Sequence, residues 1–442
     1  MTHPLWSDEL DTRPWDLTQE LQLAEFGRLL GRLSANDAWA ARMPATREFR
    51  HLDDLLAVPF TTKDDLRAAQ ADLTPERPLG AFQNAPTRDL VQVTSSSGTT
   101  GAQTFFGLTH HDWARWKDRI GNAYRTAGVG PGNVVALTTG MAIVAGGLPY
   151  ADGIRAAGGV LAWIGGQTTP RMAFGMQRLG VDVLVATASF ATHFAERTAA
   201  ELGVPATSLN VRTIIAGGEP GAGVPHIRRG MLDAWGATRV SEFMGLADVL
   251  PAMWAECEVG NGMHFTAAPD VLVELVDPET LAHVPWEPGA TGEAVYTTLS
   301  REASAVVRFR SRDQLLVTGV SCPCGRTAPT MRCVGRTDDM LIYKAMNVYP
   351  SAIREVVLDV ASPVLSGTMR IRKAEAAQVR FDDDIPLEVE LRDGVSAPDA
   401  VTLLRAASDA VRERLRVRVA VEPVAFGVIP VSDYKNALVY TT

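Results

Sequence analysis

The chain has 442 residues, 46% hydrophobic and 21% charged, an ordinary globular composition long enough for two or three domains with ample core. Its net charge of −9 argues against a nucleic-acid or anionic-membrane partner, since both call for basic patches. Four cysteines over this length make no disulfide framework.

The opening Met-Thr-His-Pro-Leu-Trp-Ser-Asp-Glu-Leu lacks the basic flank and apolar core of a signal peptide, so a cytoplasmic location is expected. Leucine and alanine spacing predicts helix over 17–43, with polar breaks at Ser34 and Asn36. Apolar Leu90, Val91 and Val93, and later Phe105 and Phe106, predict two strands around the run Thr-Ser-Ser-Ser-Gly-Thr-Thr-Gly at 94–101. Strands at 134–137, 160–164, 183–186 and 213–216 then alternate with helices at 112–127, 170–179 and 191–202, the pattern of an α/β sheet covered by helices. Residues 134–151, inside the longest uncharged run, contain Thr138, Gly140, Gly146, Gly147 and Pro149, and read as buried strand and loop rather than a spanning helix. From about 270 short strands are predicted at 271–275, 293–298 and 306–310. After 339 a helix, strands near 369–371 and 387–391, a helix at 397–415 and a strand at 417–421 make a small α+β domain.

The 94–101 run is the strongest chemical signal. Glycines let backbone N–H groups approach a polyphosphate and hydroxyls add donors, although a run of this kind also suits an ordinary surface loop. It is not the Walker loop, which requires Gly-x-x-x-x-Gly-Lys-Ser/Thr and a following helix. No Gly-x-Ser-x-Gly, dinucleotide fingerprint or His-Glu-x-x-His occurs, and His51, His110, His111, His193, His226 and His283 pair with no nucleophile. Only five lysines are present, so each is worth placing. Cys257 with His264, and Cys322 with Cys324, form two donor pairs whose chemistry fits tetrahedral structural zinc. The alternative is core thiols packing as small hydrophobes, as expected for Cys333.

Pro-Phe-Thr-Thr-Lys-Asp-Asp-Leu at 59–66, Ser-Ser-Gly-Thr-Thr-Gly at 96–101 and Gly-Gly-Gln-Thr at 165–168 occur in one order with Phe-Arg-Ser-Arg-Asp at 309–313 and Cys-Pro-Cys-Gly-Arg at 322–326. Gly-Arg-Thr-Asp-Asp-Met-Leu-Ile at 335–342 and Asn-Val-Tyr-Pro-Ser at 347–351 complete the series. Together these resemble the adenylate-forming ligase superfamily, and specifically its phenylacetate–coenzyme A ligase branch, from about residue 55 to 355. The resemblance implies an α/β fold with a large N-terminal multi-sheet adenylation domain over 1–335 and a small, mobile C-terminal α+β domain over 336–442. Its hinge would be 336–338, with Asp338 at the hinge position.

The implied activity is adenylation of a small aromatic carboxylic acid by ATP, followed by acyl transfer to coenzyme A. By resemblance, Ser96, Gly98, Thr99, Thr100 and Gly101 hold the triphosphate. Gly217, Gly218, Glu219 and Pro220 form the adenine side, Asp313 receives the ribose hydroxyls, and Arg336 reaches ribose and phosphate. Lys435 bridges the substrate carboxylate and the α-phosphate. Residues 139–147 and 217–218 are expected to line the acid pocket. The branch also favours the zinc reading for Cys257, His264, Cys322 and Cys324.

Departures from the pattern are specific. The usual Tyr-Gly-Leu-Thr-Glu reads Met244-Gly245-Leu246-Ala247-Asp248, so the Mg²⁺ acid is one methylene shorter and the threonine hydroxyl is lost. Ala102 replaces a loop lysine, and Ala345 replaces a glycine where the pantetheine arm of coenzyme A approaches. Two alternatives therefore stand beside the coenzyme A ligase: transfer to an amine, carrier protein or other nucleophile, and a non-catalytic binder of nucleotide or aryl acid. A homodimer is compatible with all three.

Overall fold

The computed structural model describes residues 5–44, 48–96, 103–140, 143–219, 221–337, 339–344, 346–375, 378–430 and 438–441. They divide into two compact units, residues 1–223 with 230–332, and residues 224–229 with 333–442.

In the first unit, β1 (Leu90–Ser95) and β2 (Phe105–Thr109) form an antiparallel hairpin in which Ser95 faces Phe105, so both ends of the 96–104 connection start from one place. A second sheet contains β3 (Val134–Leu137), β4 (Val160–Trp163), β5 (Val183–Ala186), β6 (Thr213–Gly217) and β7 (Arg239–Leu246), a run of strands parallel to one another. It continues through β8 (Leu250–Glu256), β9 (Met263–Phe265), β10 (Val271–Val276), β11 (Thr291–Thr298), β12 (Phe309–Gly319) and β13 (Thr330–Arg336). Its eleven strands run in the order β10-β11-β12-β13-β9-β8-β7-β6-β5-β3-β4.

The parallel part is covered by helices, so its strands are apolar without alternation; all four residues of β5 are buried. β3 lies between β4 and β5, a reversal of strand order, and doubly wound sheets open a ligand crevice at the carboxyl ends of strands beside such a reversal. Thr138–Gly140 follow β3, Gly218 follows β6 and Ala247–Asp248 follow β7, so several residues singled out in the sequence leave carboxyl strand ends of this one parallel run.

Helix His110–Thr126 starts where Thr109 Oγ1 accepts from the Asp112 N–H at 3.2 Å and the Asp112 carboxylate accepts from the Thr109 N–H at 3.1 Å. The helix expected over 17–43 ends at Leu33, and Asn36 then caps the short helix Asp37–Ala40 through the Ala38 and Trp39 N–H groups. The strand expected at 306–310 instead begins at Phe309 and runs to Gly319. Arg308, immediately before it, takes a φ of 45° and buries its guanidinium on Glu274 and the Leu55 and Val58 carbonyls, which breaks the extended run.

In the second unit, helices Pro350–Ala361 and Ala397–Leu415 accompany a four-stranded sheet ordered Val419–Val424, Ile385–Leu391, Leu365–Lys373, Val439–Thr441. Ile353, Val357, Val389, Ala400 and Val411 are fully buried in its core. The expected strand at 417–421 starts two residues late because Arg416 closes the preceding helix in the left-handed conformation, φ 59°. Among the described residues no helix is long and apolar enough to cross a membrane.

Candidate active site and a three-cysteine, one-histidine cluster

The hydroxyl-rich loop and the shortened acid Asp248 are joined by a residue to which the sequence assigned no role. Thr62 and Asp65 form a capping box, Thr62 N–H to the Asp65 carboxylate at 2.7 Å and Asp65 N–H to Thr62 Oγ1 at 3.2 Å, and so start helix Lys63–Ala71. Lys63, its first residue, donates from Nζ to Asp248 Oδ1 at 2.6 Å and to Thr104 Oγ1 at 2.6 Å. Thr104 in turn donates from its hydroxyl and its N–H to Ser96 Oγ, at 3.0 and 3.1 Å. Ser96 is buried, and its own N–H donates to the Thr104 carbonyl at 2.9 Å, closing the neck of the loop.

The backbone of Asp248 is held separately. Buried Arg301 donates to the Asp248 carbonyl at 2.9 Å, to the Ser304 carbonyl at 3.0 Å and to the Val249 carbonyl, with its guanidinium 4.8 Å from the Trp116 ring centre. Burial pulls the Arg301 pKa down to about 10, partly offset by the charges of Asp112 and Asp248. Gly245 is required by space: a Cβ there would lie 2.1 Å from the Pro251 backbone on the antiparallel β8. Met244 and Gly245 therefore lie near the end of β7 in close backbone contact with β8.

On the β6 side, Gly218 takes a φ of 84°, a conformation that favours glycine. Glu219 spends its carboxylate on the Ser189 N–H at 2.6 Å, at the start of helix Ala188–Leu202. Asp313 is an inward residue of β12, only 5% exposed, and its N–H donates to Ser311 Oγ at 3.0 Å. Beside it Arg310 makes a two-pronged contact with buried Glu293 at 2.8 and 2.7 Å. Arg336 ends β13, with Asp339 4.0 Å from its guanidinium. Gly98, Thr99, Thr100, Gly101, Ala102, Pro220, Asp338, Ala345 and Lys435 lie outside the described residues.

Cys257, His264, Cys322 and Cys324 come together, their ligand atoms all within 4.8 Å of one another. Cys257 follows β8, His264 lies in β9, and Cys322 and Cys324 sit in the β12–β13 connection. Register brings them near: His264 faces Ala255 on one side and Thr330 on the other. Cys257 Sγ and Cys322 Sγ are 3.7 Å apart, far beyond a disulfide bond and close to the edge of about 3.8 Å expected for tetrahedral zinc with 2.3 Å Zn–S bonds. Cys324 Sγ is 3.4 Å from His264 Nε2. His264 Nδ1–H donates to the Ala328 carbonyl at 3.2 Å, which turns Nε2 toward the sulfurs, the outer contact that metal-bound histidines use.

Burial alone would lower the His264 pKa, but hydrogen bonds to Cys322 and Cys324 carry it up to about 9. Hydrogen bonds from Cys257 and His264 hold the Cys324 thiol far below its ordinary range, while the contact with Cys324 pushes Cys257 up. The donor set, mostly buried and soft, fits a closed four-ligand zinc site. Cys333 stands apart, with its Sγ 3.5 Å from the Gly335 carbonyl.

A doubly wound parallel sheet extended by antiparallel strands, followed by a small α+β unit, is the architecture of the adenylate-forming coenzyme A ligases. Solved 2-hydroxyisobutyryl-CoA ligase in the postadenylation state, in complex with 2-HIB-AMP, matches 99% of this chain and 92% of its own with a TM-score of 0.87 and 26% identity. The phenylacetate-coenzyme A ligase of Pseudomonas putida is 31% identical over 350 residues, 77% of this chain and 73% of that one. That of Thermus thermophilus is 29% identical over 408 residues, 90% of this chain and 88% of that one. The chain belongs to the phenylacetate–coenzyme A ligase family. No family model matches it.

Proposed function

We propose that this chain is an AMP-forming acid–thiol ligase that activates a small aromatic carboxylic acid with ATP and passes the acyl group to coenzyme A. The observation that carries the reading is the hydrogen-bonded line Ser96–Thr104–Lys63–Asp248, which ties the phosphate-type loop to the metal-type acid in a family member. The phenylacetate-coenzyme A ligases supply the acid class and the acceptor.

In the first half-reaction a carboxylate oxygen of the acid attacks the α-phosphorus, and the bond to the pyrophosphate oxygen breaks. No proton moves at this stage, so the protein's task is alignment and charge neutralisation. In this reading Ser96 and residues 98–101 hold the triphosphate, Asp313 accepts from the ribose hydroxyls and Arg336 lies on the ribose–phosphate side. Lys435 places its ammonium between carboxylate and α-phosphate. Asp248 is the acid that would hold Mg²⁺, which when bound neutralises phosphate charge; an ammonium already rests on its Oδ1 at 2.6 Å, so the position suits a cation. In the second half-reaction the coenzyme A sulfur, having lost its proton, attacks the acyl carbon and AMP leaves. Asp338 is the hinge in this scheme, between domains 1–335 and 336–442.

Zinc held by Cys257, His264, Cys322 and Cys324 would be structural, with no open position for water or substrate. It would join the β8–β9 turn to the β12–β13 connection. Acid-dependent exchange of pyrophosphate into ATP, followed by mass spectrometry of the coenzyme A product, tests the function. Exchange is expected with aryl acids, and its absence across aryl and short-chain acids would refute the proposal.

A further inference from the structure

The sequence removes one cation from the phosphate site, because Ala102 stands where the resemblance calls for a loop lysine. The structure brings a cation, Lys63, onto Asp248 from a distant part of the chain. Lys63 is the first residue of helix Lys63–Ala71, where the positive end of the helix disfavours an ammonium. The other charges of that first turn, Asp64 and Asp65, have the favoured sign. A lysine in the unfavourable position is retained there by its partners. Those partners are Asp248 and Thr104, and the Thr104 hydroxyl donates a hydrogen bond to Ser96 Oγ at the start of the phosphate-type loop.

Three features separate this ammonium from an ordinary tether. Its side chain is 29% exposed, whereas that of Asp248 is 10% exposed, so the lysine faces the accessible side of the pair. Among the described residues two of its three N–H donors are used, one on the acid assigned to the metal and the other on Thr104, which donates to Ser96 of the phosphate-type loop. Phe106 on β2 supports it, with the ammonium 5.8 Å from the ring centre.

We infer that Lys63 is a triphosphate-binding residue: its ammonium, seated on Asp248, transfers to the phosphate oxygens of ATP. This rests on the adenylation reading for its ligand. An ammonium suits the task, because it is a compact charge on a flexible stem and can change partner without moving the backbone.

The test is calorimetric titration of magnesium–ATP, and separately of AMP, into the wild type, K63M and K63R, with thermal unfolding of each. K63M should bind magnesium–ATP at least about tenfold more weakly, as expected for loss of a charge-assisted contact, while AMP affinity stays within about twofold. K63R should recover most of the ATP affinity. K63M binding ATP within twofold of the wild type, or losing ATP and AMP equally, would overturn the inference. K63Q carries the same comparison if K63M does not fold. Nucleotide binding needs no acid, so wild-type exchange over the acid panel reads the proposed function independently of this result.

Discussion

Cys324→Ser should cost the protein its zinc and a measurable part of its stability. A serine hydroxyl is a hard, protonated donor that replaces a thiolate sulfur 3.4 Å from His264 Nε2, so one of four bonds in a closed site is lost. Metal present at about 1,000 times its dissociation constant stabilises the folded state by about 4 kcal/mol. The first unit has about 330 residues, and an unfolding entropy of about 2.1 cal/mol/K per residue gives about 0.7 kcal/mol per degree. Removing the ion should therefore lower the unfolding midpoint by about 6 °C. The effect should be largest locally, because the connection from Val320 to Pro329 contains no strand or helix. Its other ties run mainly to the N-terminal segment, including Thr327 N–H to the Asp11 carbonyl at 3.0 Å and the Thr327 hydroxyl to the Asp11 carbonyl at 3.2 Å. Elemental analysis, scanning calorimetry and limited proteolysis would read these effects, with Cys333→Ser as the thiol outside the cluster. Wild-type protein expressed with zinc yet containing much less than one ion per chain would refute the reasoning. So would C324S protein that retains both its metal and its midpoint.

Lys435→Ala should reduce acid-dependent pyrophosphate exchange by about 100-fold or more, the scale for losing a preorganised charge at a reacting phosphate; unchanged exchange removes the assignment. Gly245→Ala should destabilise the protein by about 3 kcal/mol in urea unfolding, because the new Cβ would meet Pro251 backbone at 2.1 Å, and a loss below about 0.5 kcal/mol would contradict the packing argument. Burial lowers the His283 pKa, but hydrogen bonds to Glu274 and Asp53 outweigh both that and the nearby Arg308 charge, so its folded value lies above its ordinary 6.5. The stability this supplies is complete below about pH 6.5 and is lost as pH rises through the raised value; H283Q should lack that decline, and identical pH profiles for the two proteins would count against it.

Local pattern was enough for much of this chain. The apolar runs of β3 and β5 and the helix Ala397–Leu415 were legible because burial on both faces, or one helical stripe, writes itself into neighbouring residues. The hydroxyl-rich loop between two strands and the four soft metal donors could be picked out by residue type. Long-range register decided the rest. Lys63 meets Asp248 across 185 positions, and Cys257 meets Cys322 across 65, because strand order and a capped helix start carry them there. Asp313 could have been a surface acid; it is buried at an irregularity in the pairing of β12 with β11, between Arg310 opposite Val295 and Gln314 opposite Glu293, which no local pattern announces. The late start of β12 depends on the buried Arg308–Glu274 pair, 34 positions apart, and the support of Asp248 depends on Arg301, 53 positions away. Periodicity reports only which face of an element is apolar, whereas a charge finds its partner after several elements have packed, so those contacts exist only in the tertiary structure.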